Sequence, residues 1–191
     1  MPASLTERLF EELFRDHHLM VLRFAQRRLG DDMVAWDVVS ETFLVAWRSW
    51  QRRPATPPET RAWLYTIAGN AVRNQQRAGV RAARLAAKIS VAAQRPGILS
   101  TRVGDIADEA VGKDVALSAL EQLPDGEREL LRLVAWEGLD LAELAAVLAI
   151  SPSAAKVRLH RARRRLQKAL GGTAAMPAPA VPIPPPIEGR P

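Results

Sequence analysis

The 191-residue chain contains no cysteine, so disulfides, thiolate metal sites and cysteine nucleophiles are excluded. Histidine is nearly as scarce, with three in all, and only His17 and His18 lie close together. Neighbouring residues on a helix point apart, and no triad partners accompany the pair, so a structural role is expected for both. No catalytic residue, metal site or cofactor site is expected. Aromatic residues make up only 5% of the chain, and no convincing strand pattern appears. No apolar run reaches the roughly 18 residues of a membrane span. The N-terminal MPASLTERLFEELF is amphipathic and acidic rather than basic and then apolar, so no secretory signal is expected and the cytoplasm is the expected location.

What is present favours helix. Hydrophobic residues reach 48%, enough for real cores, and alanine, leucine and arginine dominate. The net charge of +6 suggests a polyanionic partner, and its distribution is more informative than its sum. Residues 1–80 carry eleven basic and nine acidic residues, whereas 113–150 carry three basic and eight acidic. Residues 151–170 then carry seven basic residues and no acid. A small unit with one positive and one negative face is polarised as a nucleic-acid reader would be.

Apolar spacing predicts a first helix over about 5–29, stopped at Gly30 and restarted by Asp31 and Asp32. A second helix follows through VAWDVVSETFLVAWRSW, with Val34, Val38, Phe43 and Val45 as buried candidates. Three prolines mark QRRPATPPET as an exposed loop, after which Thr60 is the expected cap of a third helix reaching about Arg77. The expected division is a helical unit over 1–80, a partly ordered linker over 81–112 and a second helical unit over 113–171. The tail at 172–191 holds seven of the fourteen prolines and is expected to be disordered or polyproline-like. The fold class is all-α, with two small helical domains.

Within the second unit, LAELAAVLAISPSAAKVRLHRARRRL gives two helical runs separated by a short turn. Ser151 before Pro152 reads as an N-cap followed by proline at the first helical position, so the proline starts a helix. Ala155, Leu159, Ala162 and Leu166 form the inward stripe, and Ala145 is small where the runs must approach. That pattern is a helix-turn-helix. Lys156, His160 and Arg163 or Arg164 then share the outer side, where a major groove would present base edges. Arg158, Arg161 and Arg165 flank it as phosphate contacts. In the first unit, Asn70, Asn74 and Arg77 form one polar stripe on a helix held by Trp63, Leu64 and Ile67. Asparagine is a poor choice inside a helix on propensity alone, and its two-sided amide can read a base edge.

LPDGERELLRLVAWEGLDLAELAAVLAISPSAAKVRLHRARRRLQKAL resembles the σ4 domain of extracytoplasmic-function sigma factors of the bacterial sigma-70 family. FEELFRDHHLMVLRFAQRRLGDD, AWDVVSETFLVAWRSW and RAWLYTIAGNAVRNQQR resemble their σ2 domain. Together the resemblance covers roughly 5–80 and 113–170 in the family's order. It implies a non-catalytic subunit that binds core RNA polymerase and reads promoter DNA. The −10 element would be read and melted by Trp63, Asn70, Arg73, Asn74 and Arg77 with the loop at about 50–58, Asn70 helping to receive a flipped base. The −35 element would fall to Ser151, Ser153, Lys156, Val157, Arg158, His160, Arg161 and Arg164. Asp37, Val38, Glu41 and Arg48 would meet the β′ clamp helices, with the β flap as a second polymerase contact and an anti-sigma factor as a further candidate partner. Three departures stand out: Trp36 where the family carries an acid, Gly69 where arginine is common, and Ala149 in place of a turn glycine. A stand-alone helix-turn-helix regulator and a sigma mimic that sequesters an anti-sigma factor are the alternative readings.

Overall fold

The computed structural model describes residues 4–93 and 110–171, with side chains described over 4–86 and 116–171. Regular structure among the described residues is entirely helical. Helices α1 (Leu5–Leu29), α2 (Asp32–Arg48) and α3 (Pro57–Ala93) build the first half, with a single 3-10 turn at Trp50–Arg52. Helices α4 (Ala110–Glu121), α5 (Asp125–Ala135), α6 (Leu141–Val147) and α7 (Pro152–Ala169) build the second. The proline-rich segment 172–191 lies outside the described residues.

Local chemistry sets the boundaries. Ser4 opens α1 with a capping box: its Oγ accepts from the Glu7 amide at 3.2 Å, and Glu7 Oε2 accepts from the Ser4 amide. Gly30 closes α1 at φ +67°, a left-handed conformation that glycine adopts without penalty. Asp31 Oδ1 then accepts the amides of Met33 and Val34 at 2.9 and 3.1 Å, starting α2 as the Gly-Asp-Asp signal predicts. The third helix differs from expectation at both ends. It begins at Pro57 rather than after Thr60, whose hydroxyl instead turns back to the Pro54 carbonyl. Proline is favoured in a first helical turn because its missing N–H would have no intrahelical partner there. At the other end α3 continues to Ala93, well into the stretch expected to be linker.

Val21, Phe24 and Ala25 of α1 pack against Val38, Val39 and Phe43 of α2 and Leu64, Ala68 and Val72 of α3. In the second half Leu130, Leu133, Leu139 and Leu144 meet Ala155 and Ala162 of α7. Ala145 and Ala155, both buried, allow α6 and α7 to approach closely as their small side chains predict. The halves do not stand apart, because α6 packs against α3 as well as against α7.

The turn between α6 and α7 is a Schellman motif: the Ile150 amide donates to the Ala145 carbonyl at 3.0 Å and the Ala149 amide to Ala146 at 3.2 Å. Ala149 takes the left-handed position, at φ +52°. For an L-residue this costs about 1–2 kcal/mol, less the roughly 0.4–1 kcal/mol by which glycine would favour the unfolded chain. Ala149→Gly is therefore expected to stabilise the second half by up to about 1 kcal/mol in denaturant unfolding. An unchanged or lowered midpoint would show that no strain resides there.

Candidate nucleic-acid interface

The cap that starts α7 forms as the Ser-Pro signal predicts, with Ser151 Oγ accepting from the Ala154 amide at 3.2 Å. Ser153 sits beside it, the two hydroxyls 3.0 Å apart. Ala155 and Ala162 face the core, Leu159 and Leu166 are half-buried, and Lys156, Val157, Arg158, His160, Arg161 and Arg164 are exposed. Arg165, also exposed, ion-pairs with Glu127 of α5 at 2.6 Å, which braces α7 against its own unit.

On α3, Asn70, Arg73, Asn74 and Arg77 are exposed on one side of the helix, while Trp63 is half-buried near its start. Each asparagine is held by an arginine one turn later. Arg73 Nη2 donates to Asn70 Oδ1 at 2.5 Å, and Arg77 Nη2 to Asn74 Oδ1 at 2.6 Å. Each oxygen keeps a second lone pair and each amide has two N–H donors, so both ends can still meet a base edge. Asn74 Nδ2 also lies 3.5 Å from Glu41 Oε1, which links this stripe to α2. Gly69 has room for a side-chain carbon, since an added Cβ would make ordinary van der Waals contacts with Arg73 at 3.8 Å and Phe24 at 4.0 Å.

The outer face of α2 is apolar as well as charged. Met33 is 77% exposed, and Trp36, Leu44 and Trp47 are exposed beside Asp37 and Arg48. The departure at Trp36 thus belongs to an exposed hydrophobic stripe, which is the kind of surface that marks a protein interface. Val38 does not belong to it. Its side chain is fully buried in the first core, because consecutive helical residues are turned about 100° apart and Asp37 already faces outward. His17 is half-buried, burial pulling its imidazole below the usual range, and His18 Nδ1 meets the Phe14 carbonyl at 3.0 Å. Among the described residues no group of three or more His, Asp or Glu could hold a metal ion, and no helix is long and apolar enough to cross a membrane.

The halves meet through a set of ion pairs that no pattern along the chain foretells. Arg28, whose side chain is 3% exposed, bonds to Glu137 at 2.9 Å and to Glu129 at 2.8 Å, with its guanidinium 3.6 Å above the Phe24 ring. Glu137, 1% exposed, also pairs with Arg27 and lies 3.4 Å from the Tyr65 hydroxyl. Burial, then the Glu137 charge, pushes the Tyr65 phenol above its usual range. Gly138, at φ +62°, makes the turn that aims Glu137 back at the first half. Arg61 grips Glu143 with two bonds, of 2.8 and 2.5 Å, and this hydrogen bonding raises the guanidinium above its usual range. Glu143 meanwhile completes the capping box of α6 with Asp140. Three of the acids that made 113–150 so negative are therefore engaged by arginines about a hundred residues away.

Two family descriptions fit this arrangement: Sigma-70 region 2 matches residues 13–82, and Sigma-70, region 4 matches residues 113–166. The chain is 30% identical over 168 residues to the ECF RNA polymerase sigma factor SigL of Mycobacterium tuberculosis, covering 88% of this chain and 92% of that protein. The chain belongs to the ECF RNA polymerase sigma factors. This sigma factor is also 34% identical over 164 residues to the RNA polymerase sigma factor CarQ of Myxococcus xanthus, covering 85% and 89% of the two chains. Among solved structures it is similar to CnrH in complex with the cytosolic domain of CnrY, at 28% identity and a TM-score of 0.55, covering 88% and 91%. The sigma factor RpoE in complex with the anti-sigma factor NepR, from Bartonella quintana, shares the fold at 24% identity and a TM-score of 0.60, covering 86% and 98%. The function of the chain is accordingly promoter-specific transcription initiation with RNA polymerase, and neither alternative reading is favoured.

Proposed function

We propose that this sigma factor acts in the cytoplasm as a non-catalytic subunit of RNA polymerase, with separate surfaces for polymerase and for each promoter element. Asp37, Glu41 and Arg48, with the exposed apolar stripe from Met33 to Trp47, dock on the β′ clamp helices, and the second half meets the β flap. Asn70, Arg73, Asn74 and Arg77, with Trp63 and the loop at 50–58, read and open the −10 element. Ser151, Ser153, Lys156, Val157, Arg158, His160, Arg161 and Arg164 meet the −35 element. The observation that carries this reading is the pair of exposed, acid-free faces on α3 and α7 of one chain. An anti-sigma factor fits as a further partner, since RpoE has been solved with one.

The same reading requires the halves to part. Elements at −10 and −35 lie about 25 base pairs apart, about 85 Å along the duplex at roughly 3.4 Å per base pair. Packed helices lie only about 8–10 Å apart, and α6 packs on α3. The packed arrangement is thus the form off the promoter, and simultaneous reading breaks the Arg28–Glu137 and Arg61–Glu143 pairs.

Asp37→Arg tests the polymerase surface. Placing a like charge in a complementary interface costs several kcal/mol, so affinity for core polymerase is expected to fall at least tenfold in a fluorescence titration. Binding to a −35 duplex should be unchanged. Undiminished affinity for core polymerase would remove α2 from the interface.

A further inference from the structure

The continuation of α3 past Arg77 is the least explained part of the described chain. It extends beyond the first core: Val80 and Leu85 are 51% and 61% exposed, so packing does not account for it. Its charge is one-sided. From Arg61 to the end of the helix at Ala93 there is no acidic residue, and the single carboxylate of α3, Glu59, lies in the first turn. Arg73, Arg77, Arg81 and Arg84, with Gln76 and Val80, line an open groove of about 440 Å³. Positions 73, 77, 81 and 84 fall within one narrow sector of a 3.6-residue helix, the sector that also holds Asn70 and Asn74. Arg73 and Arg77 hold those two asparagines, whereas Arg81 and Arg84 are exposed and form no ion pair among the described residues.

Like charges spaced at i, i+4 destabilise a helix by about 0.2–0.5 kcal/mol per pair. A helix that leaves its core while accumulating such pairs gains from a polyanion laid along it. We propose that Arg81 and Arg84 bind the phosphate backbone of the double-stranded spacer adjoining the −10 element, extending the α3 interface without reading sequence. The inference rests on the assignment of Asn70 and Asn74 to that element. Its geometry is compatible: Asn70 to Arg84 spans about 21 Å at 1.5 Å per residue, roughly six base pairs of duplex.

Double-stranded DNA is favoured over a single strand by what the groove lacks. Sequence-tolerant single-strand sites stack bases on aromatic side chains, and none of the six lining residues is aromatic. Direction agrees with this. The loop at 50–58, where melting is assigned, precedes Asn70, whereas the extension leads away from it. DNA between that element and a duplex −35 site remains paired.

The test uses holoenzyme made from the full chain and core polymerase, on a promoter fragment that the wild-type holoenzyme has selected from a random library. Arg81→Ala/Arg84→Ala is expected to weaken binding by the same factor on fragments that differ only in spacer sequence. The slope of log affinity against log salt should become shallower by about 2, close to one unit for each phosphate no longer neutralised. Arg81→Lys/Arg84→Lys should keep most of the wild-type slope, and a fragment whose duplex ends at the −10 boundary should bind the Ala variant and wild type alike. An unchanged salt slope overturns the proposal. So does an equal loss on the shortened fragment, or a loss confined to core polymerase binding, which would assign the stripe to an acidic protein surface. Asn70→Ala/Asn74→Ala separates the two levels: loss of −10 discrimination there alongside an unchanged slope in the arginine variant rejects the extension alone. Retained discrimination rejects the underlying −10 assignment.

Discussion

Glu137→Lys is expected to part the two halves of the sigma factor while leaving each folded. Every partner of this carboxylate lies in the first half: Arg27, Arg28 and the Tyr65 hydroxyl. Arg28 and Glu137 are both almost fully buried in the packed form, and Glu137→Lys leaves Arg28 with Glu129 alone while setting an ammonium against Arg27 and Arg28. Breaking such a pair costs about 3–5 kcal/mol, and reversing the charge adds repulsion. With tenfold for every 1.4 kcal/mol, the ratio of packed to parted molecules falls by more than a hundredfold. Small-angle scattering should record a larger radius of gyration at unchanged helical content by circular dichroism. Glu127→Lys supplies the control, because Glu127 pairs with Arg165 inside the second half. An unchanged radius for Glu137→Lys, or equal expansion for the control, would show that the Arg28–Glu137 pair does not hold the halves together.

The second large effect belongs to α7. Lys156→Ala/Arg161→Ala is expected to lower affinity for the −35 duplex by on the order of a hundredfold or more, taking about 1–3 kcal/mol per base or phosphate contact. Both side chains are exposed and Ala155 and Ala162 carry the packing, so the fold of the second half should survive. Affinity for core polymerase should stay at the wild-type value, the reverse of the result expected for Asp37→Arg. Equal loss of DNA and polymerase binding would contradict the separation of surfaces.

How much of this was legible in the sequence depended on whether a local pattern recorded it. The start of α7 was readable because serine, proline and an alternation of apolar and basic residues all lie within one segment, and the cap forms where they indicate. Gly30 and Asp31 likewise mark their boundary by local chemistry. The far end of α3 left no such trace. Residues 79–86 are exposed, and the alanine-rich stretch that follows Gly79 carries no apolar period, so it reads as a linker. The ion pairs between the halves join residues 82 to 110 positions apart, which no window along the chain can register. Their acids looked like the negative side of a polarised reader, when three of them neutralise arginines of the first half. At Val38 the two kinds of sequence signal disagree: apolar spacing marks it as buried and the family resemblance as a polymerase contact, and the helix turns Asp37 outward and Val38 into the core.

Run-off transcription with purified core polymerase on a promoter library is the most direct measurement of the central claim. Adding this sigma factor is expected to give discrete transcripts from templates that share paired upstream and downstream elements, and altering either element should abolish them. Absence of promoter-dependent initiation, under conditions where a control sigma factor supports it, would contradict the claim that this chain directs polymerase to promoters.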